Sequence, residues 1–197
     1  MRPALSTAVV VPVRSFALGN TRLGSALDPG TRRALARRMA DQVVDATAGF
    51  ARVIVSSAPE VVAWAAERGL ACIGDPGTLD AAADSGRDWA RARDAERVIV
   101  VHADLPFARD LHAVEVDAGS RIVVIVPDVR GDGTPVLSVP ADLPFRFAYG
   151  PGSFARHREE AERVGCAVRV VRDDALGFDV DVPADLDRLG LRAAPRS

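Results

Sequence analysis

Apolar residues alternate along the chain between short continuous runs and stretches with helical spacing. Residues 7–13 (TAVVVPV) are a continuous, mostly β-branched run, which is typical of a strand buried on both faces. In residues 29–48, by contrast, a proline suits the first helical turn, and Leu35, Met39 and Val43 repeat on one helical stripe. The same two patterns predict further strands at residues 52–57, 70–74, 97–102, 121–126, 134–139 and 167–172. They predict further helices at residues 59–68, 79–93, 152–163 and 183–189.

This order of elements predicts a single α/β domain. Strands that alternate with helices are joined as βαβ units, which build a mostly parallel sheet with helices on both faces. No linker, repeat or low-complexity stretch divides residues 1–197. Ligands of such sheets bind beyond the carboxyl ends of the strands. We therefore expect the chemistry in the loops after Val13, Ser57, His102 and Val126.

Charge and composition narrow the classes of partner. The chain has 25 basic and 27 acidic residues, which gives a net charge of −2. All 25 basic residues are arginines. No basic stretch is dense enough to follow a nucleic-acid backbone, so a nucleic-acid polymer is not expected, whereas a single nucleotide is compatible. Because the apolar runs are far shorter than the ~20 residues of a membrane-spanning helix, no membrane association is expected.

The first residues and the two cysteines indicate the cellular compartment in which the protein is expected. The first residues lead from one arginine directly into a β-branched strand, which is not a signal-peptide pattern. Cys72 and Cys166 have neither metal-ligand nor disulfide spacing. A reduced, cytoplasmic location is therefore expected. Residues 192–197 are expected to form a frayed tail.

The loop after the first predicted strand offers groups that suit phosphate. Arg14 and Arg22 flank it, and Ser15, Asn20 and Thr21 lie between them. Guanidinium groups and backbone N–H groups at a strand end bind phosphate oxygens well. Neither the dinucleotide fingerprint G-x-G-x-x-G nor the Walker motif G-x-x-x-x-G-K is present. The alternative is a solvated loop with two surface arginines.

Three aspartates form a candidate metal site. Asp104 follows the predicted strand at 97–102, where it is well placed to hold Mg²⁺ together with phosphate oxygens. Asp179 and Asp181 lie two apart in an extended segment, so their side chains point to the same side, roughly 6–7 Å apart at the backbone. Like charges so placed raise each other's pKa unless a cation lies between them. The alternatives are that Asp104 caps the following turn, that Asp181 caps the helix at 183–189, and that Asp179 is solvated.

Two glycine-rich stretches, 128–134 and 149–157, carry hydroxyl and N–H donors. Ser153 lies near a predicted helix start, where exposed amides make a reasonable anion pocket. The alternative is two ordinary turns.

Taken in order, the strings VPVR…TRL, DPG…LDAA, HADLP, GDGT, YGPGSFARH and DVDVPADL resemble the 2-phospho-L-lactate or phosphoenolpyruvate guanylyltransferases of coenzyme F-420 biosynthesis. The resemblance runs from Val11 to about Leu189, and GPGSFARH and DVD-x-P-x-DL are its specific parts. It implies a single Rossmann-like nucleotidyltransferase domain that joins GMP from GTP to a small phosphorylated three-carbon acid and releases pyrophosphate. The acid it implies is phosphoenolpyruvate, 2-phospho-L-lactate or 3-phosphoglycerate.

The resemblance also implies roles for charged residues. The carboxylates that hold the metal, with Mg²⁺ as the cofactor, fall on Asp104, Asp179 and Asp181. The basic residues that bind the nucleotide phosphates fall on Arg14 and Arg22. Together with Asp104, these two arginines make up the implied catalytic set.

Further implied positions belong to the two substrate pockets. Asp75 and Asp80 fall on the side of the nucleotide. Thr134, Gly150 and Ser153 fall on the acceptor positions, where two hydroxyl donors and a glycine amide suit the anion of a small acid.

Four positions depart from the family pattern. Arg14 and Asn20 stand where lysine is usual, Asp80 where asparagine is usual, and Pro135 where asparagine or alanine follows the Gly-Thr pair. These departures leave open a non-catalytic nucleotide-binding homologue, or a nucleotidyltransferase with another acceptor. A nicotinamide-dependent oxidoreductase is disfavoured by the missing glycine fingerprint. The sequence also leaves open the acceptor acid and the oligomeric state, a homodimer included.

Overall fold

The computed structural model describes residues 7–19, 21–117 and 119–191; Asn20 and the tail at 192–197 lie outside the described residues. The strands are β1 (Thr7–Pro12), β2 (Ala51–Val55), β3 (Ala71–Ile73), β4 (Arg97–Val101), β5 (Ile122–Val126), β6 (Val136–Pro140) and β7 (Ala167–Val170). The helices are α1 (Pro29–Ala46), α2 (Pro59–Glu67), α3 (Leu79–Arg91), α4 (Ser153–Arg163) and α5 (Asp174–Gly177). Short 3-10 helices cover Thr21–Ser25, His112–Val114 and Pro183–Leu189.

The strands form one sheet in the order β3-β2-β1-β4-β6-β5-β7. Neighbouring strands are parallel except that β6 runs antiparallel to both β4 and β5. This confirms the expected mostly parallel α/β sheet. The predicted elements are all present with ends shifted by a few residues, but the segment predicted as a helix at 183–189 is a 3-10 helix. The sequence pattern predicts no counterpart of the short helix α5.

Alternate residues of β1 face two separate layers of helices. Val9 and Val11 pack on the side of α1 and α2, whereas Ala8 and Val10 pack on the side of α3 and α4. All four are fully buried, which explains why this strand is a continuous apolar run. Helices therefore cover both faces of the sheet, as predicted. No helix within the described ranges is long and apolar enough to cross a membrane.

Helix α3 lies close to β1 because Gly86 has no side chain. A Cβ at this position would lie 2.2 Å from Cγ1 of Val10, which is well inside van der Waals contact. The glycine therefore lets the helix rest directly on the central strand.

The reversed direction of β6 follows from a short connection. Residues 127–135 join β5 to β6, which is too short for the crossover that a parallel neighbour requires. In this turn the carboxylate of Asp128 accepts the backbone N–H groups of Asp132 and Gly133, both at 2.9 Å. The sequence predicts the strand and the glycine-rich turn but not the direction of the strand.

A third, smaller apolar cluster fixes the last segment of the chain against the site. Phe178 and Val180 pack with Leu23, which lies in the 3-10 helix Thr21–Ser25. The backbone N–H of Val180 also donates to the carbonyl oxygen of Asp104 at 3.3 Å. Because the apolar residues of this extended segment are buried in the cluster, its aspartates are brought to the carboxyl end of β4.

Candidate active site

A cavity of ≈ 190 Å³ lies at the carboxyl ends of β1 and β4, where ligands of parallel sheets bind. Its lining includes Arg14, Phe16, His102 and Asp104. Arg14 is exposed and Asp104 is half-buried. Two of the residues singled out in the sequence are thus brought to one cavity from different loops.

The turn after Arg14 differs from expectation. The hydroxyl of Ser15 donates to Glu60 at 2.6 Å and accepts the backbone N–H groups of Ala17 and Leu18. The N–H of Gly19 donates to the carbonyl of Ser15 at 3.0 Å. The expectation that backbone N–H groups of this loop are free for phosphate is therefore wrong for residues 17–19, because Ser15 satisfies them within the turn. The side chain of Arg14 remains as the phosphate-binding candidate.

Arg22 meets one of the predicted metal-holding carboxylates. Its Nη1 lies 2.8 Å from Oδ2 of Asp181, and the two side chains are 69% and 43% exposed. An ion pair this exposed contributes little to stability. The pair brings together two predicted site residues from opposite ends of the chain.

Asp104 carries a carboxylate oxygen without a partner. Its Oδ1 is buried and has no hydrogen-bond partner among the residues that the structure describes. Burial, with a smaller contribution from the charge of Asp181, raises the pKa of Asp104 to about 6. Its carboxylate makes no hydrogen bond to the following turn among the described residues, so the alternative that Asp104 is a turn cap is wrong. A buried polar atom left unpaired costs about 1–3 kcal/mol, which points to a role other than stability.

Asp179 is half-buried beside other acids. Burial raises its pKa to about 6, and the charges of Asp104, Asp181 and Asp128 add to the effect. One cation reaches it directly, because Nη1 of Arg130 lies 3.3 Å from its Oδ1. The alternative that Asp179 is merely solvated is therefore wrong.

Asp185, rather than Asp181, supports the start of the last 3-10 helix. Its Oδ2 accepts the backbone N–H groups of Asp181 and Val182, both at 2.9 Å. Both of its oxygens also accept from Nη2 of Arg130 at 2.9 Å. Burial opposes the charge of Asp185, but the backbone donors and Arg130 together lower its pKa. The alternative that Asp181 caps this helix is therefore wrong, because the carboxylate of Asp181 faces Arg22 instead.

The chemistry of this cluster fits a magnesium ion, although the cluster is not preassembled. The three predicted carboxylates are hard oxygen donors, and one of them has a buried oxygen without a partner. Among the described residues, however, no three His, Cys, Asp or Glu side chains are arranged as a ready metal-ligand group. In this structure Asp181 faces Arg22 and Asp179 faces Arg130. In this arrangement the guanidinium of Arg22 occupies Oδ2 of Asp181.

Two predicted acceptor residues, Thr134 and Ser153, are in contact. The hydroxyl of Ser153 lies 3.2 Å from that of Thr134, and Nδ1 of His157 lies 3.1 Å from the same Thr134 oxygen. All three residues are buried. Sequence reasoning does not single out His157, although its signal is present: it follows Ser153 by four residues and so shares a helix face with it.

The start of α4 is already hydrogen-bonded. The backbone N–H of Gly152 donates to Oδ2 of Asp132 at 3.0 Å. The backbone N–H of Phe154 donates to the backbone carbonyl oxygen of Asp132, also at 3.0 Å. The N–H of Ser153 donates to the carbonyl of Gly150 at 3.0 Å. The expectation of exposed amides behind Ser153 is therefore wrong, because Asp132 already occupies this helix start. Gly150 lies in the exposed turn before it, at a φ of 100°.

Asp80 and Asp75, the two aspartates predicted to lie on the nucleotide side, each accept a backbone N–H group of a nearby loop. Oδ1 of Asp80, in the first turn of α3, accepts the backbone N–H of Tyr149 at 2.6 Å. Asp80 therefore ties the α3 start to the turn that carries Gly150. Asp75 accepts the N–H of Gly77 with its Oδ1 at 2.8 Å and so closes its own turn.

Arg130, Asp132 and Asp185 are the other site residues that sequence reasoning missed. Each lies within a stretch that the sequence marks as unusual, the glycine-rich turn or the DVDVPADL string. Their pairing joins segments that are 55 residues apart in the case of Arg130 and Asp185. A single sequence contains no signal for such a pair.

Solved structures share this fold. A nucleotidyl transferase from Methanothermobacter superposes with a TM-score of 0.64 at 16% identity, covering 93% of this chain and 95% of the other. A 4-diphosphocytidyl-2C-methyl-D-erythritol synthase of Anaerococcus prevotii superposes with a TM-score of 0.59 at 12% identity, covering 92% and 93%. These superpositions show that the chain shares the Rossmann-like fold of these structures, a mostly parallel sheet covered by helices on both faces.

Comparison of the sequence with known proteins identifies the family of this chain. Residues 7–194 match the family described as "Guanylyl transferase CofC like". A phosphoenolpyruvate guanylyltransferase of Rubrobacter xylanophilus is 38% identical over 205 residues, covering 98% of this chain and 99% of the relative. A 2-phospho-L-lactate guanylyltransferase of Halorubrum lacusprofundi is 35% identical, covering 94% and 84%. The chain belongs to the CofC-like guanylyltransferase family.

Proposed function

We propose that this enzyme transfers GMP from GTP to a small phosphorylated three-carbon acid and releases pyrophosphate, as a step of coenzyme F-420 biosynthesis. The acids we propose are phosphoenolpyruvate or 2-phospho-L-lactate, after which the relatives are named, with 3-phosphoglycerate as a third candidate. The observation that carries the proposal is the unpartnered carboxylate oxygen of Asp104, which lies at a cavity that Arg14 also lines.

The proposed step needs no nucleophile from the protein. An oxygen of the acid attacks the α-phosphorus of GTP, and the bond between this phosphorus and the oxygen that bridges to the β-phosphorus breaks. The electron pair leaves with the pyrophosphate. Transfers of this kind depend on positioning and on neutralisation of charge.

The charged residues then have separate proposed tasks. Asp104, Asp179 and Asp181 would hold Mg²⁺, which when bound supplies positive charge to the phosphate oxygens. Arg14 and Arg22 would neutralise the departing pyrophosphate. For Arg22 this requires release from Asp181, with which it forms a pair at 2.8 Å.

We assign the remaining predicted residues to the two substrates. An ionised carboxylate accepts several hydrogen bonds, so Asp80 can accept from guanine while it holds the N–H of Tyr149. Asp75 would shape the neighbouring turn on the nucleotide side. Thr134, Gly150 and Ser153 would bind the anion of the acceptor acid.

A panel of pyrophosphate-release assays tests the proposal. Each of four nucleoside triphosphates is combined with each of the three acids, with Mg²⁺ and with excess chelator. We expect release only with GTP, with one preferred acid and with Mg²⁺. Binding of GTP without release in any combination would instead support the non-catalytic homologue, and release with an unrelated acid would support another acceptor.

A further inference from the structure

His157 lies in a buried hydrogen-bonded network and has no role in the reaction proposed above. The residue is fully buried on α4, and its ring contacts that of Tyr149, with the ring centroids 4.9 Å apart. Its Nε2 accepts the backbone N–H of Ala148 at 3.0 Å. Its Nδ1 lies 3.1 Å from the hydroxyl oxygen of Thr134.

These two contacts determine which ring nitrogen carries the hydrogen. A nitrogen that accepts a hydrogen bond carries no hydrogen itself, so Nε2 is unprotonated. In the neutral ring the hydrogen is then on Nδ1, which must donate to Thr134. The backbone N–H of Ala148 thus selects one tautomer of His157.

The tautomer controls how many hydroxyl hydrogens remain for a ligand. Thr134 and Ser153 have one hydroxyl hydrogen each, and one of the two is used in the 3.2 Å contact between them. If Nδ1 donates to Thr134, the second hydroxyl hydrogen of the Thr134–Ser153 pair stays free to donate to a ligand. If Nδ1 accepted instead, Thr134 would donate to it, Ser153 would donate to Thr134, and no hydrogen would be left.

We infer that His157 is a positioning residue for the acceptor: through its Nδ1–H it leaves the Thr134–Ser153 pair with one hydroxyl donor for the anion of the acid. The inference rests on the proposed function, because it assigns this pair to the acceptor. A purely structural role for His157 would affect the stability of the fold and not the recognition of one substrate.

Kinetics of three variants separate these roles. His157→Leu removes the donor, whereas His157→Asn can place an amide N–H near the position of Nδ1. His112→Leu is the matched control, because the side chain of His112 is 80% exposed. The acid is varied at saturating GTP, and GTP is varied at saturating acid, with thermal unfolding of each variant as a check of folding.

We expect His157→Leu to raise the KM for the acid roughly ten- to a hundredfold, the effect of one hydrogen bond to a charged group, and to leave the KM for GTP within about threefold. His157→Asn should recover part of the loss, and His112→Leu should match the parent. Equal rises of both KM values, or a parental KM for the acid in His157→Leu, would overturn the inference.

Nitrogen-15 NMR of the histidine rings gives a readout independent of turnover. The chain has three histidines, so the signal missing from His157→Asn identifies His157. We expect the Nδ1–H tautomer at neutral pH, and the Nε2–H tautomer would overturn the inference even if His157→Leu does not fold. If the parent turns over no acid at all, the proposed function fails and this inference fails with it. A parent that turns over an acid but has the wrong tautomer overturns only the role of His157.

Discussion

At the scale of single residues, the site holds negative charge where burial opposes it. Burial raises the pKa of both Asp104 and Asp179 to about 6, and each acid also feels the charge of Asp181. Within the described part of the chain, Arg22 contacts Asp181 and Arg130 contacts Asp179, while Oδ1 of Asp104 has no partner. Such an arrangement is unfavourable for the fold by itself and favourable for binding a cation.

Replacing Asp104 should separate stability from activity. We expect Asp104→Asn to lower turnover by at least about 10²-fold, because the carboxylate proposed to hold Mg²⁺ is lost. Thermal unfolding of the metal-free variant should occur at the parental temperature or above it, because a buried charge is removed. Asp187→Asn, an exposed acid of the last 3-10 helix, is the control. A near-parental rate of Asp104→Asn at saturating Mg²⁺ would contradict the metal assignment, as would parental rates in the corresponding variants of Asp179 and Asp181.

Asp80 provides a test of base recognition. Asparagine at this position can still accept the N–H of Tyr149 and adds a donor that an ionised aspartate lacks. We therefore expect Asp80→Asn to raise the ratio of kcat/KM for GTP to that for ATP, by about tenfold for one hydrogen bond. Asp88→Asn, on the exposed side of α3, controls for the change of charge. Identical ratios in the parent and in Asp80→Asn would mean that position 80 does not read the base.

At the scale of elements, the segment that carries Asp179 and Asp181 is held by an ion pair. Arg130, from the turn between β5 and β6, contacts both Asp179 and Asp185. Asp185 in turn holds the backbone N–H groups of Asp181 and Val182. The β5–β6 turn and the last 3-10 helix thus fix the direction in which the two carboxylates point. Groups that orient metal ligands in this way affect metal binding although they do not touch the metal.

Removing Asp185 should loosen this segment. We expect Asp185→Ala to lower turnover about 10- to 100-fold and to raise the Mg²⁺ concentration required for half-maximal rate. Asp187→Ala is the matched control, because the Asp187 carbonyl rather than its carboxylate accepts the N–H of Gly190. A parental Mg²⁺ dependence in Asp185→Ala, measured on a variant that unfolds cooperatively, would show that the ion pair serves the fold alone.

At the scale of the whole molecule, the sequence predicts the elements well and their pairing poorly. Continuous β-branched runs such as residues 98–101 identify buried strands, because both faces of the sheet are covered. The same pattern does not distinguish a parallel from an antiparallel neighbour, so the direction of β6 has to be inferred from the short connection at residues 127–135 and not from the hydrophobic pattern. Of the loops in which the sequence places the chemistry, those after β1 and β4 line one cavity, with Arg14 and Asp104.

The interactions that complete the site could not be predicted. Ser15 and Asp132 satisfy the backbone N–H groups that sequence reasoning leaves open for phosphate and for the acceptor. The pair of Arg130 with Asp185 and the contact of His157 with Thr134 join distant segments. These interactions depend on side-chain directions in the folded chain, which neither hydrophobic periodicity nor a local motif encodes.

The acid stability of the whole fold should depend on His157. Burial, with the charges of Arg156 and His102 and against that of Glu160, lowers its pKa to about 4, below the usual value of 6.5. The unfolded chain therefore takes up a proton between these pH values that the folded chain does not. The contribution of His157 is fully present above pH 6.5, is lost as the pH falls towards 4, and amounts to about 3 kcal/mol.

Denaturant unfolding of the parent and of His157→Asn between pH 4 and 7.5 measures this contribution. We expect the free energy of unfolding to fall more steeply towards low pH in the parent than in His157→Asn. The raised pKa values of Asp104 and Asp179 act in the opposite direction in both proteins and cancel in the difference. Parallel curves for the parent and His157→Asn would show that the pKa of His157 is not lowered in the folded protein. The control, His112→Asn, should follow the parent.

The central claim, transfer of GMP from GTP to a phosphorylated acid, is tested most directly by phosphorus-31 NMR of the whole reaction. GTP, Mg²⁺ and each of the three acids are incubated with the enzyme, and the products are observed without a coupled assay. We predict that pyrophosphate appears in step with a new anhydride between GMP and one acid, and that Asp104→Asn forms neither. Formation of GDP and inorganic phosphate, or no change in GTP with any acid, would contradict the proposed guanylyl transfer.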